Sequence, residues 1–135
     1  MAMQQGIEAL FDTYLSAWNA RNFQRVAQCY TEPSLFVLPE ASVPVADNAA
    51  MIALLERIFA GLEADGFSHT EIDDISICPR GDTLATADAR GVRRLRGNGS
   101  EIEVIDAHYV LRRTEAGWQF TAAVSLPHDW TETET

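Results

Sequence analysis

Asp88, Arg90, Asp106 and His108 stand at two-residue spacing in two neighbouring runs of small and apolar residues, Ala85-Thr-Ala-Asp-Ala-Arg90 and Ile105-Asp-Ala-His-Tyr109. Residues two apart in an extended strand point to the same side, so Asp88 goes with Arg90 and Asp106 with His108. An imidazole beside a carboxylate has the form of a general base with an orienting acid. His108, Asp106 and Asp88 are therefore the catalytic candidates. Water or a substrate carbon acid is the natural partner of His108, because no nucleophilic side chain stands beside it. Arg90 offers a planar fork of donors to an anionic or carbonyl-bearing ligand, which Asp106 would help to orient. Each group also has a structural reading. Arg90 with Asp106 is then a buried ion pair, costing about 3–5 kcal/mol to break from one side. His108 is then a core histidine satisfied by Asp88. Access to a pocket separates the two readings.

Two hairpins set which residues meet. If Gly97-Asn98-Gly99 forms a three-residue loop, Arg96 pairs with Ser100, Arg90 lies opposite Asp106 and Asp88 lies opposite His108. A two-residue turn at Asn98-Gly99 would instead set Arg94 against Glu103 and Arg96 against Glu101, which also pairs charges well. Charge alone leaves both open. The next hairpin, Glu115-Ala116-Gly117, favours the three-residue pattern by analogy, pairs Thr114 with Trp118 and places His108 opposite Val124. In that register Asp106 and His108 share a face with Phe120, Ala122 and Val124. The other face, with Ala85, Ala87, Ala89, Gly91, Ala107, Tyr109, Thr121, Ala123 and Ser125, is flat and nearly uncharged. Left exposed it would be a large apolar patch, so a homodimer through it is expected.

The elements that position these groups follow from periodicity. Ile7, Leu10, Phe11, Tyr14, Leu15 and Trp18 recur at helical spacing, giving a helix over residues 6–20. Tyr14 and Trp18, four apart, share its face, and Tyr30 can join them. These three and Phe120 are the aromatic candidates for a ligand wall, core packing being the alternative. Asn22 caps a short second helix that Pro33 closes off ahead of a strand at Leu35–Leu38, and Pro44 marks an extended connection. Asp47 caps a third helix that buries Met51, Leu54, Leu55, Ile58, Phe59 and Leu62 and ends at Gly66. Strands over 69–78, 84–96, 101–113 and 118–126 then form an antiparallel meander. Helices first and strands after predict an α+β fold in which a curved sheet wraps the N-terminal helices.

The chain has 135 residues, 47% of them hydrophobic and 22% charged, as expected of one globular domain over 1–135, with 128–135 a loose acidic tail. Twenty Asp and Glu against ten Arg, with no Lys, give a net charge of −10, which disfavours nucleic acid and anionic membranes as partners. The lack of Lys also excludes Schiff-base chemistry. Cys29 and Cys78 form no metal-ligand spacing, His69 and His128 have no partner at ligand spacing, and neither a metal nor another cofactor is expected. With no leader and no spanning segment in the sequence, a cytoplasmic location is the expectation.

The order of two helices, a strand, a third helix and a long meander resembles the nuclear transport factor 2-like superfamily, in particular its SnoaL-like branch. The segments that carry the resemblance are Tyr14-Leu-Ser-Ala-Trp18-Asn-Ala-Arg-Asn-Phe23 and Tyr109-Val-Leu-Arg-Arg-Thr-Glu-Ala-Gly117-Trp118. The resemblance implies a cone-shaped, cystatin-like roll whose mouth holds small molecules, often in a homodimer. Against the ketosteroid isomerases of the superfamily, Tyr14 matches the tyrosine that donates to the oxyanion and Asp106 the aspartic acid beside it. Leu38 stands where those enzymes keep their proton-shuttling aspartate, so isomerisation is not implied. Against the association domain of calmodulin-dependent kinases, the two pocket arginines fall on Arg90 and His108. The expected function is binding of a small apolar molecule with an anionic or carbonyl oxygen, with or without lyase, isomerase or hydrolase chemistry. A dimerisation or ligand-binding scaffold is the alternative.

Overall fold

The computed structural model describes residues 2–128. Helix α1 (Ala2–Asn19) is followed by α2 (Phe23–Gln28), strand β1 (Tyr30–Val37), β2 (Ser42–Val45), α3 (Asn48–Ala64), and β3 (Phe67–Pro79), β4 (Leu84–Arg96), β5 (Glu101–Thr114) and β6 (Gly117–Pro127). The six strands form one curved, unclosed sheet in the order β2-β1-β6-β5-β4-β3, antiparallel except for the parallel pair β1–β6. This is the α+β architecture expected from the sequence. The tail beyond His128 lies outside the described residues.

Both expected helix caps form. The Asn22 side chain accepts from the Arg25 N–H, and Asp47 accepts from the Ala50 N–H at 2.9 Å. Each gives one of the orphan N–H donors of a helix start its acceptor, an effect of about 1 kcal/mol. Helix α3 buries Met51, Leu54, Leu55, Phe59 and Leu62, and the chain leaves it through Gly66 at φ +84°. Strand β1 begins earlier than expected and runs through Pro33, while Pro44 sits inside an edge strand rather than a loop. Proline is tolerated there because an edge strand has backbone positions that owe no ladder bond.

The long hairpin β4–β5 carries elements of both sequence registers. Asp88 faces His108 and Ala89 faces Ala107, as the three-residue loop requires, yet Arg94 faces Glu103 as the two-residue turn requires. Two bulges reconcile them. Arg90 and Gly91 together oppose Asp106, and Ile102 is an extra residue on β5 between the Arg94–Glu103 and Leu95–Glu101 pairs. The β5–β6 hairpin closes with Thr114 opposite Gly117 rather than Trp118, and a further bulge in β6 restores His108 opposite Val124.

These bulges decide which side chains look inward. Before Gly91 the inward residues are Ala85, Ala87 and Ala89, all at most 1% exposed; after it Val92 and Arg94 take that side. Ala107, Tyr109, Leu111 and Phe120 complete the inner face against Ile7 and Phe11 of α1. The small-residue surface expected to pair two copies is thus covered by the protein's own helices. It is small because helix and sheet approach closely there.

Candidate functional site

A cavity of about 50 Å³ lies between α1 and the inner sheet face. Tyr14, Leu15 and Trp18 line it from α1, Thr70 and Ile72 from β3, Val92 and Arg94 from β4, and Ile105, Ala107 and Tyr109 from β5. Of these, Leu15, Ile72, Arg94 and Ile105 are half-buried.

Asn19, in the last position of α1, fixes one wall. Its side-chain oxygen accepts from the Thr70 N–H at 2.7 Å and its amide donates to the Thr70 carbonyl at 3.0 Å. Arg21, at φ +57°, turns the chain out of α1 and donates to the carbonyls of Asn19, Ser68 and Phe67. Helix and strand are thereby tied together beside the cavity.

Three lining residues hold a buried polar atom with no hydrogen-bond partner among the described residues: Trp18 Nε1, Thr70 Oγ1 and Arg94 Nε. Arg94 is otherwise engaged. Its Nη1 donates to Glu103 at 2.7 Å, and its guanidinium lies 5.4 Å from the centre of the Trp18 ring. Each unmet buried donor costs about 1–3 kcal/mol, so three of them on the residues around one small cavity set it apart from the rest of the interior.

Behind them sits a cluster of phenols. The Tyr14 and Tyr30 hydroxyls are 3.0 Å apart, and the Tyr109 ring meets Tyr14 edge-on at 6.2 Å. Burial first, and then the neighbouring phenols, push all three hydroxyls well above the usual tyrosine range. They stay protonated and act as donors. Phe120 is fully buried behind Tyr14, packed at 4.9 Å, and belongs to the core rather than to the cavity wall.

The other predicted residues are not on the inner face. Because Ala87, Ala89, Ala107 and Tyr109 point inward, Asp88 and His108 point outward. His108 Nδ1 lies 2.8 Å from Asp88 Oδ1, a real pair, with the two side chains 35% and 50% exposed. Arg90 is also outward and 46% exposed, reaching Asp106 only at 3.9 Å. The placement of Arg90 and His108 on the concave face, which the kinase comparison suggested, is therefore corrected. Arg94, four residues on and across the bulge, is the arginine at the cavity.

Asp106 is the buried member of the outer group. Its Oδ1 accepts from the Gly91 N–H at 2.9 Å and lies 3.0 Å from His128 Nδ1. Burial pushes its carboxyl up, but the Gly91 N–H, His128 and Arg90 outweigh burial and hold it below the usual range. Asp106 thus secures the bulge and does not reach the cavity. The sequence reasoning missed Arg94, Thr70 and Asn19. The lone glycine inside a strand run, Gly91, was the available signal for the first of these.

A larger open groove of about 920 Å³ runs between α1, α2 and the β5–β6 hairpin, beside Leu10, Arg25, Cys29, Arg112 and Trp118. Its amide and hydroxyl groups largely satisfy one another: Gln119 donates to the Gln28 and Tyr30 carbonyls, and Thr114 to the Gly117 carbonyl. Burial pushes the Cys29 thiol up to about 11, so it is a poor nucleophile. Of the four unmet buried donors among the described residues, three are on residues that line the smaller cavity and the fourth, Ser34 Oγ, is on β1. Among the described residues no group of three His, Cys, Asp or Glu is placed to hold a metal, and no helix is long and apolar enough to cross a membrane.

The profile of a family described as NTF2-like protein (DUF6841) matches residues 4–128. No curated protein matches the chain. Among solved structures, it resembles an NTF2-like protein with a cystatin-like fold from Novosphingobium aromaticivorans, at 19% identity over 96% of this chain and 84% of that one, with a TM-score of 0.80. ActVI-ORFA from Streptomyces coelicolor matches at 18% identity, covering 96% and 98% of the two chains, with a TM-score of 0.76. A domain of unknown function with a cystatin-like fold from Nostoc punctiforme matches at 18% identity over 97% and 80%, with a TM-score of 0.74. At these identities the likeness is one of fold.

Proposed function

Because the chain belongs to this NTF2-like family, a fold that presents a cavity between helix and sheet, we propose that it binds a small apolar molecule there through an oxygen acceptor. The observation that carries this reading is the set of unmet donors on one cavity, Trp18 Nε1, Thr70 Oγ1 and Arg94 Nε. Ile72, Val92, Ile105 and Ala107 supply the apolar wall, as small-ligand sites require. Tyr14 adds a protonated phenol close by.

Binding is favoured over turnover inside the cavity, since no carboxylate or imidazole is among its described lining residues and the phenols hold their protons. An acid–base role for His108 with Asp88, or for Asp106, would act on the outer face. The test is the indole N–H resonance of Trp18 in ¹⁵N-labelled protein, titrated with small ketones and carboxylates. A saturable shift is expected, with its midpoint moved to about tenfold higher ligand concentration in Thr70→Val. A cavity that takes up only water, with no probe moving that resonance, would overturn the reading.

We also propose a homodimer, through the outer rather than the inner sheet face. Leu35, Val37, Val110, Ala122, Val124 and Leu126 share that outer face and are all partly exposed. Light scattering should give twice the chain mass, and Val124→Arg should halve it. A wild-type monomer at high concentration would remove the proposal.

A further inference from the structure

Resting on the cavity-binding reading, we infer that the acceptor is an uncharged carbonyl oxygen and not a carboxylate. The three donors differ in what they offer. Trp18 and Thr70 present neutral N–H and O–H groups. Arg94 presents the only cationic group lining the cavity among the described residues, and its charge is already met by Glu103 at 2.7 Å. The indole under the guanidinium, at 5.4 Å, engages the same charge again.

A carboxylate entering this site would leave water without gaining a free counter-charge, and would sit near Glu103, itself an anion. An isolated buried carboxylate is among the least tolerated groups in a protein interior. A carbonyl oxygen has two lone pairs for N–H and O–H donors and needs no counter-ion. The phenols add no counter-charge: Tyr14 and Tyr109 line the cavity in the protonated, neutral form. The long-range field points the same way, since the chain as a whole carries −10. With a cavity of about 50 Å³, the part of the ligand that is recognised is this polar head and a short apolar body.

Glu103 is then the residue that sets the preference, although it does not touch the ligand. The experiment titrates wild type and Glu103→Gln with acetone and acetate, matched in their short methyl body, and follows the Trp18 indole resonance, assigned by its loss in Trp18→Phe. Wild type should bind the ketone at least about tenfold more tightly than the carboxylate. Glu103→Gln should raise carboxylate affinity by about tenfold and leave ketone affinity within about twofold. A carboxylate that binds wild type as well as the ketone, or a ratio unchanged in Glu103→Gln, would overturn the inference while leaving the cavity a ligand site. If neither probe moves the resonance, the cavity-binding reading fails and takes the inference with it.

Discussion

A side-chain carbon placed on Gly91 would lie 2.2 Å from Oδ2 of Asp73, inside any contact distance. Gly91 has φ +66°, and the Asp73 carboxylate above it is held by two nitrogens of Arg93. The position therefore excludes a side chain twice, by backbone conformation and by space. The bulge it permits shifts β4 by one residue and turns Arg94 rather than Arg93 toward the cavity.

Gly91→Ala should accordingly destabilise the protein by about 1–3 kcal/mol, from the left-handed backbone and the overlap together. Adding Asp73→Ala should recover part of that loss, because one of the two obstacles is removed. Thermal melts of the two singles and the double variant measure the coupling. Strictly additive losses would mean that Asp73 does not pack on Gly91.

Pairing was more legible in the sequence than facing. The hairpin glycines located Asp88 opposite His108 and His108 opposite Val124, and both pairs form. The side of the sheet they occupy was not legible, because one extra residue reverses every side chain beyond it. The bulge at Arg90–Gly91 is offset by the one at Ile102, so the hairpin ends still match and nothing at the turn betrays the slip. Arg94 was read only as a charge partner of Glu103, a role it has, and its second role at the cavity depends on that hidden bulge. Tyr14 and Trp18 were legible because helical periodicity has no such hazard.

Thr70→Val should leave stability unchanged or raise it slightly, since the hydroxyl it removes has no partner among the described residues. Ligand affinity should fall by about tenfold, the worth of one lost hydrogen bond. Denaturant midpoints and the Trp18 titration together make the check. A large stability loss would show that the hydroxyl serves the fold instead.

His108→Ala removes an outer-face pair, 2.8 Å from Asp88, whose side chains are a third to a half exposed. Its effect on stability should stay within about 1 kcal/mol, as for other exposed pairs. Binding in the cavity should be unaltered. A tenfold change in ligand affinity would contradict the outward placement of His108.

Asp106 should contribute a distinct acid dependence. Its carboxyl is held below the usual range when folded, so the stability it supplies is full above the unfolded carboxylate value and is lost as pH falls through the folded one. Asp106→Asn lacks that ionisation but keeps an acceptor for the Gly91 N–H, which Asp106 Oδ1 receives at 2.9 Å. At neutral pH the variant should be less stable by about 1–3 kcal/mol, from the negative charge lost beside the Gly91 N–H and His128 and, at 3.9 Å, Arg90. Between about pH 5 and about pH 2 the wild type should lose stability faster, and the gap should narrow. Urea midpoints for both proteins across that range decide it, with the remaining carboxylates cancelling in the difference. A gap that stays constant down to the acid limit would mean that Asp106 is not ionised in the folded protein, and that its place under Arg90 is one of packing alone.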